Sequence, residues 1–277
     1  MNFLTTLAFA AQLAALPEPA VPDTITANAD LEATAFVDSI EARYTFVRGR
    51  VELPAGTTLN IPAGFKFLDQ AQAEEVIVDL WGNPDAVGVL GMIFPEADGV
   101  LADDSYAFVV QYDDLGYVKD DDADKIDYAE LLEEMRSGEE EENRERVAAG
   151  YEPAYLIGWA QAPFYDKERK VLHWAKELKF GDDAEVNTLN YNVRVLGRKG
   201  VLVLNAVASM PELPLVQEHI ADVLDIVEFQ DGFRYDQFDS SVDEVAAWTI
   251  GGLVAGKVLA KAGILALLLK NLKLVFL

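Results

Sequence analysis

The sequence contains no cysteine and only two histidines, His173 and His219. The first absence removes thiol nucleophiles, disulfides, cysteine-ligated zinc and iron–sulfur clusters. The second removes any multi-histidine metal centre. Basic residues are also scarce: 22 Lys and Arg stand against 48 Asp and Glu, a net charge of −26. Such a surface repels phosphate backbones, which excludes nucleic acid as a partner. It also repels anionic lipid head groups, so the body of the protein does not lie flat on a membrane. Two nucleotide-binding signatures are missing. GTTLNIPAG and GGLVAG lack the Lys-Ser ending of a P-loop and the strand–turn–helix setting of a dinucleotide site. No G-x-S-x-G is present, and both histidines sit in structural contexts, beside Trp174 in a strand and at the edge of an amphipathic helix. No cofactor is implied.

Hydrophobic residues make up 51% of the 277, enough for a core and a membrane element together. Residues 1–16 are mostly apolar and carry no charge, and Ala8-Phe9-Ala10 fits a small-x-small cleavage site, so a signal peptide is expected there. Residues 17–42 begin with a proline-rich stretch and read as a linker. An acidic domain is expected over 43–240.

Within it, Asp69 with Gln72 suits a helix start, and Ala73, Val76, Ile77 and Leu80 repeat at helical spacing. A second helix is expected over 126–136 and a third over 212–228. EEEENRER (139–146) has no apolar face and reads as solvated helix or loop. Four runs between 151 and 209 follow one another closely, the pattern of an antiparallel meander. In the third, Leu189, Tyr191, Val193 and Val195 alternate with Asn190, Asn192 and Arg194, so one face is buried and the other polar. That polar face suits either solvent or a partner. The run Val201–Val207 is apolar almost throughout, as a central strand would be. Gly197 and Gly200 bound a tight turn and are expected to supply positive φ. The fold class is α+β: an antiparallel sheet packed by amphipathic helices, plus a C-terminal hydrophobic helix.

From residue 243 the text changes, and 243–277 reads as a membrane-anchoring segment. The stretch 245–269 has spanning length. Lys257 and Lys261 interrupt it, each at about 2.5–3.5 kcal/mol if placed at a bilayer centre. At 100° per residue they share an azimuth with Asp243, which suits an interfacial helix, one packed on a second span, or a lined polar cavity; the competing reading is a buried helical hairpin of the soluble domain. Trp248 stands near its start, and Gly252 and Gly256, four apart, permit close helix contact.

Three groups carry candidate chemistry. Asp120, Asp122, Asp124 and Asp127 imitate the start of a calcium loop, but Lys125 stands where glycine is needed and Leu131 where a bidentate glutamate belongs. The competing reading is an acidic cap on the following helix. Trp159, Phe164 and Tyr165 in GWAQAPFYD either line a groove or close the end of a sheet core. A carboxylate pair for glycoside hydrolysis is not singled out by context.

The stretches VDLWGNP (78–84), DDDADKIDYAELLEEM (120–135), GWAQAPFYD (158–166), HWAKELKFG (173–181), NTLNYNVRVLGRKGVLVLNAVA (187–208) and VAAWTIGGLVAGKVLAKAG (245–263) together resemble a bacterial family catalogued as a domain of unknown function and described as predicted membrane-anchored proteins. The resemblance implies a secretory signal, a periplasmic or otherwise extracytoplasmic domain and a C-terminal anchor in the bilayer. It implies no activity. The expectation is a non-enzymatic envelope protein whose domain contacts an envelope protein partner. A small-ligand or divalent-cation sensor is the alternative, and an envelope hydrolase ranks third.

Overall fold

The structure, a computed structural model, describes residues 35–83, 85–101 and 106–256. The expected signal peptide, most of the linker, and Lys257 and Lys261 lie outside them. The last part of the linker region, 35–41, is helical.

A seven-stranded sheet forms the centre. Its strands are β3 (Phe65–Asp69), β4 (Val89–Pro95), β5 (Ala107–Asp113), β6 (Ala154–Asp166), β7 (Val171–Phe180), β8 (Thr188–Leu196) and β9 (Val201–Ser209), in the spatial order β3-β4-β5-β9-β8-β7-β6. Every neighbouring pair is antiparallel. β6 to β9 form the expected meander, and β9 is the middle strand, buried along almost its whole length. The first hairpin, β1 (Gly49–Leu53) and β2 (Thr57–Ile61), does not complete this sheet. It pairs with β10 (Val227–Phe229) in a separate three-stranded sheet.

The turn between β8 and β9 corrects one expectation. Gly197 and Gly200 are not among the positive-φ glycines. Their requirement is space: a Cβ at Gly197 would stand 2.9 Å from the Phe229 ring, and one at Gly200 2.3 Å from the Asp113 carbonyl oxygen.

Both faces of the large sheet are covered. On one lie Leu189, Tyr191, Val193, Leu202, Leu204, Phe108 and Val110, packed against the small sheet and α4 (Leu213–Asp225). That helix presents Val216 and Val223 at helical spacing, as its apolar stripe requires. The opposite face carries two apolar clusters. Over β4 and β5 sits α1 (Gln70–Glu75), capped by Asp69 through the Gln72 amide at 3.1 Å and continued by a widened turn over Val76–Leu80. Over β7 and the β8–β9 turn sit the acidic loop, α2 (Tyr128–Ser137) and the start of the C-terminal segment. Asp127 caps α2 by accepting from the Ala129 and Glu130 amides.

The acidic helix α3 (Glu139–Ala148) has no buried residue, yet it is not merely solvated. Asn143 accepts from the Ala154 amide at 2.7 Å, Glu139 accepts from the Leu156 amide, and Arg136 of α2 donates to the carbonyls of Leu156 and Ile157. These side chains occupy the open backbone groups at one end of the edge strand β6, which blocks a second strand from adding there.

The C-terminal segment departs most from expectation. Ala246 and all of α5 (Ile250–Ala255) are buried in the domain, so the globule extends to Gly256 rather than ending near 240. Thr249 caps α5 and Gly256 closes it at φ 69°. Among the described residues no helix is long and apolar enough to cross a membrane. Asp243 lies on no helix shared with the lysines. It forms an ion pair with Arg198 at 2.7 Å.

Because β9 is central, Leu204→Ala should lower stability by about 3 kcal/mol, whereas Val186→Ala, at an exposed position, should change it by less than about 0.5 kcal/mol. Urea denaturation at constant slope measures both. Equal costs at the two positions would contradict the assigned core.

Candidate functional site

The register of the sheet places the polar alternation of β8 beside polar residues of its neighbours. Asn190 pairs with Lys176 on β7 and Val207 on β9. Asn192 pairs with Trp174 and Asn205. Arg194 pairs with Leu172 and Val203. Three adjacent rows, spaced about 7 Å along the strands, therefore carry Lys176 and Asn190, then Trp174, Asn192 and Asn205, then Arg194. This strip runs between the two apolar clusters of that face, with Val207 belonging to one and Trp174 to the other.

The strip is not the solvated face that the alternation allowed. Asn190 and Asn192 are each 6% exposed and Asn205 7%. Asn192 donates to the Asn190 side-chain oxygen at 2.7 Å and to its carbonyl at 3.1 Å. Arg194 donates to Asn192 Oδ1 at 3.2 Å and to the Val193 carbonyl at 3.1 Å, and its guanidinium lies 5.1 Å from the Trp174 ring centroid. Within the strip two buried atoms have no hydrogen-bond partner among the described residues: Trp174 Nε1, a donor, and Asn205 Oδ1, an acceptor.

Lys176 and Arg194 are partly buried, and among the described residues neither forms an ion pair with a carboxylate. Burial, with Arg194 adding repulsion, pushes the Lys176 ammonium down to about 8. Burial pushes Arg194 down to about 10, opposed by the charge of Asp113. In a chain with 48 acidic residues, two desolvated cations that Asp113 and Glu142 reach only at longer range, with no ion pair among the described residues, leave a locally positive region. It selects anions and repels metal ions.

The four aspartates of the acidic loop do not converge. Asp120 accepts from Tyr165 at 2.8 Å and Lys170 at 2.9 Å. Burial works against its charge, yet the Lys170 ammonium and the Tyr165 hydroxyl hold its carboxyl below the usual range. Asp122 accepts from the Ile250 and Gly251 amides at 3.3 and 3.4 Å, Asp124 pairs with Lys167, and Asp127 caps α2. No group of three or more Asp, Glu or His is placed to hold a metal among the described residues. The loop instead ties α5 to the sheet.

Trp159, Phe164 and Tyr165 do not share a groove. Trp159 donates to the Tyr128 carbonyl at 3.0 Å, Tyr165 turns to Asp120, and Phe164 stands 57% exposed against His173. Trp248 borders an open cleft with Asp114, Leu115, Lys119 and Glu244. Gly252 lies inside α5 and Gly256 at its end. His173 faces the other side of the sheet, where Tyr191 at 3.0 Å and Gln161 at 3.1 Å contact its Nδ1, and burial lowers its pKa. His219 bonds to Tyr106.

The residues from 45 to 277 match the family described as "Protein of unknown function (DUF2167)". The chain belongs to this family. No curated protein matches it. Among solved structures, the solution structure of cyanobacterial PsbP from Synechocystis sp. PCC 6803 is 11% identical, with 65% of this chain and 91% of that one covered at a TM-score of 0.38. A point mutant of the protein Mog1 is 9% identical, with 68% and 97% covered at a TM-score of 0.34. Likeness this remote assigns nothing to the DUF2167 site, which rests on its own residues.

Lys176 carries a signed pH prediction. Below about pH 8 the folded and unfolded chains both hold its proton, so the cost of burying the charge is present in full. Between about 8 and 10.5 only the unfolded chain keeps the proton, and that cost fades. Lys176→Met should therefore stabilise the protein at pH 7 by on the order of 2 kcal/mol and lose most of the advantage by pH 10. A gap that stays constant across pH 7–10 in chemical denaturation would refute the assignment.

Proposed function

We propose that this DUF2167 chain is a non-catalytic binding domain of the bacterial envelope, tethered to the membrane by the residues after Gly256. The observation that carries the tether is the charge of the tail. Residues 257–277 hold Lys257, Lys261, Lys270 and Lys273 and no acidic residue, in a chain whose net charge is −26. The remaining positions are almost all apolar. A cationic apolar segment is drawn to anionic lipid, while the acidic body is held away from it. The apolar, uncharged N-terminus with its small-x-small site supports export of the domain from the cytoplasm.

Binding rather than catalysis is supported by how the reactive side chains are used. Both histidines are bonded to tyrosines, and Asp120, Asp122, Asp124 and Asp127 of the acidic loop are each engaged in holding α2, α5 or a lysine. The polar strip across β7, β8 and β9 is the binding surface of this reading. An envelope protein partner would meet the exposed parts of the domain, and the strip suits a smaller anionic group.

Flotation with vesicles containing phosphatidylglycerol tests the tether. Full-length protein should float with the vesicles. A chain ending at Gly256 should stay in the soluble fraction and melt at the same temperature, because α5 remains packed in its core. Full-length protein that neither floats nor needs detergent would overturn the proposal.

A further inference from the structure

We propose that the strip formed by Lys176, Asn190, Trp174, Asn192, Asn205 and Arg194 is a binding site for a small carboxylate that carries a neighbouring hydroxyl or amino group. The inference rests on the reading of the domain as a binding module and adds the chemical class of its ligand.

Two cations in the strip lack an ion-pair partner among the described residues. A buried cation without a partner is strongly unfavourable, and an apolar replacement of similar volume is usually neutral or stabilising. Val203 and Val207 on β9 show that apolar side chains fit on this face. Lys176 and Arg194 nevertheless occupy the rows on either side of Trp174 and Asn192, and among the described residues neither forms an ion pair with a carboxylate: Glu142 and Asp113 act on them only at longer range. Long side chains from the two outer rows can bring their charged heads over the middle row, where one anion would face both.

That middle row also holds a pair of unused polar atoms. Trp174 is 1% exposed and its Nε1 has no acceptor among the described residues. Asn205 Oδ1 has no donor. Each is desolvated with no bond in return. They stand in one row on either side of Asn192, and together they call for a ligand that offers both an acceptor and a donor. A carboxylate oxygen accepts from Trp174 and from the two cations, and an adjacent O–H or N–H donates to Asn205. Asn192, bonded to both Asn190 and Arg194, holds the row in register.

The chemistry also disfavours competitors. A metal ion would meet two positive charges. Phosphate sites are usually built from backbone amides at helix N-termini, whereas here the amides of β7, β8 and β9 are spent in the sheet ladders and only side chains remain.

The test uses the full chain in detergent, read by thermal melting and calorimetric titration. The probes are glycolate, glycine, acetate, glycerol and inorganic phosphate, each at 10 mM or below. Glycolate or glycine should raise the melting temperature by several degrees, acetate by less, and glycerol not at all. Arg194→Met and Lys176→Met should each weaken binding at least tenfold. Trp174→Phe keeps the ring and removes only the N–H. It should leave the unliganded melting temperature unchanged or higher while weakening the ligand severalfold, a combination that a purely structural Trp174 would not give. Three results would overturn the proposal: no stabilisation by either bifunctional carboxylate, stabilisation unaffected by all three substitutions, or stabilisation by phosphate alone. The vesicle experiment is independent of all of these, so loss of the ligand assignment leaves the tether standing, and the reverse.

Discussion

The constraint on which the structure depends is that β9 must be covered on both faces. Its residues from Val201 to Ala208 are all buried, so neither side of the large sheet can face water. One side is satisfied by the helix Leu213–Asp225 and the small sheet, which bring apolar side chains to an apolar surface. The other side is harder, because β7 and β8 present Lys176, Asn190, Asn192 and Arg194 to it. α1 covers one end and α5 with the acidic loop covers the other. The polar residues are left between two apolar clusters, shielded from solvent and short of partners. Burial of the sheet thus creates the site, since the same side chains on an open sheet would be hydrated and unremarkable.

The acidic loop shows how a surplus of one charge is used structurally. Asp122 reaches the amides that open α5, Asp127 opens α2, and Asp120 gathers Lys170 and Tyr165. Each carboxylate is consumed by a different neighbour. The loop therefore fixes the point where the C-terminal segment enters the domain. Asp243 and Arg198 fix the preceding turn, with Asp243 also accepting from the Asp239 amide at 2.7 Å. Any pull on the residues after Gly256 would act first on these contacts.

Much of the fold is legible in period and punctuation. The β8 alternation, the apolar run of β9 and the Asp127 cap depend on neighbours a few residues away, and each appears where its local pattern puts it. The separate small sheet is not legible, because β10 pairs with β2 across some 170 residues, and no local pattern records that pairing. The segment after 243 misleads for a related reason. An apolar helix packed in a core and one placed in lipid use the same residues, and only the presence of the acidic loop above α5 separates them. The two glycines of the β8–β9 turn mark close approach, a requirement set by Phe229 and Asp113 from elsewhere in the chain.

By itself the sequence determined the excluded chemistries, the α+β meander, the polar side of β8 and the contrast between an acidic body and a cationic tail. These follow from composition and from side-chain period, which the backbone geometry of a strand or helix fixes locally. Only the tertiary structure decided that the polar side of β8 is buried, that Lys176 and Arg194 flank one row holding Trp174 and Asn205, and that residues up to Gly256 belong to the globule. Those facts depend on which strands become neighbours and what covers them. Desolvation, which turns an ordinary lysine, arginine and tryptophan into a site for an anion, is a property of that covering and of no single segment.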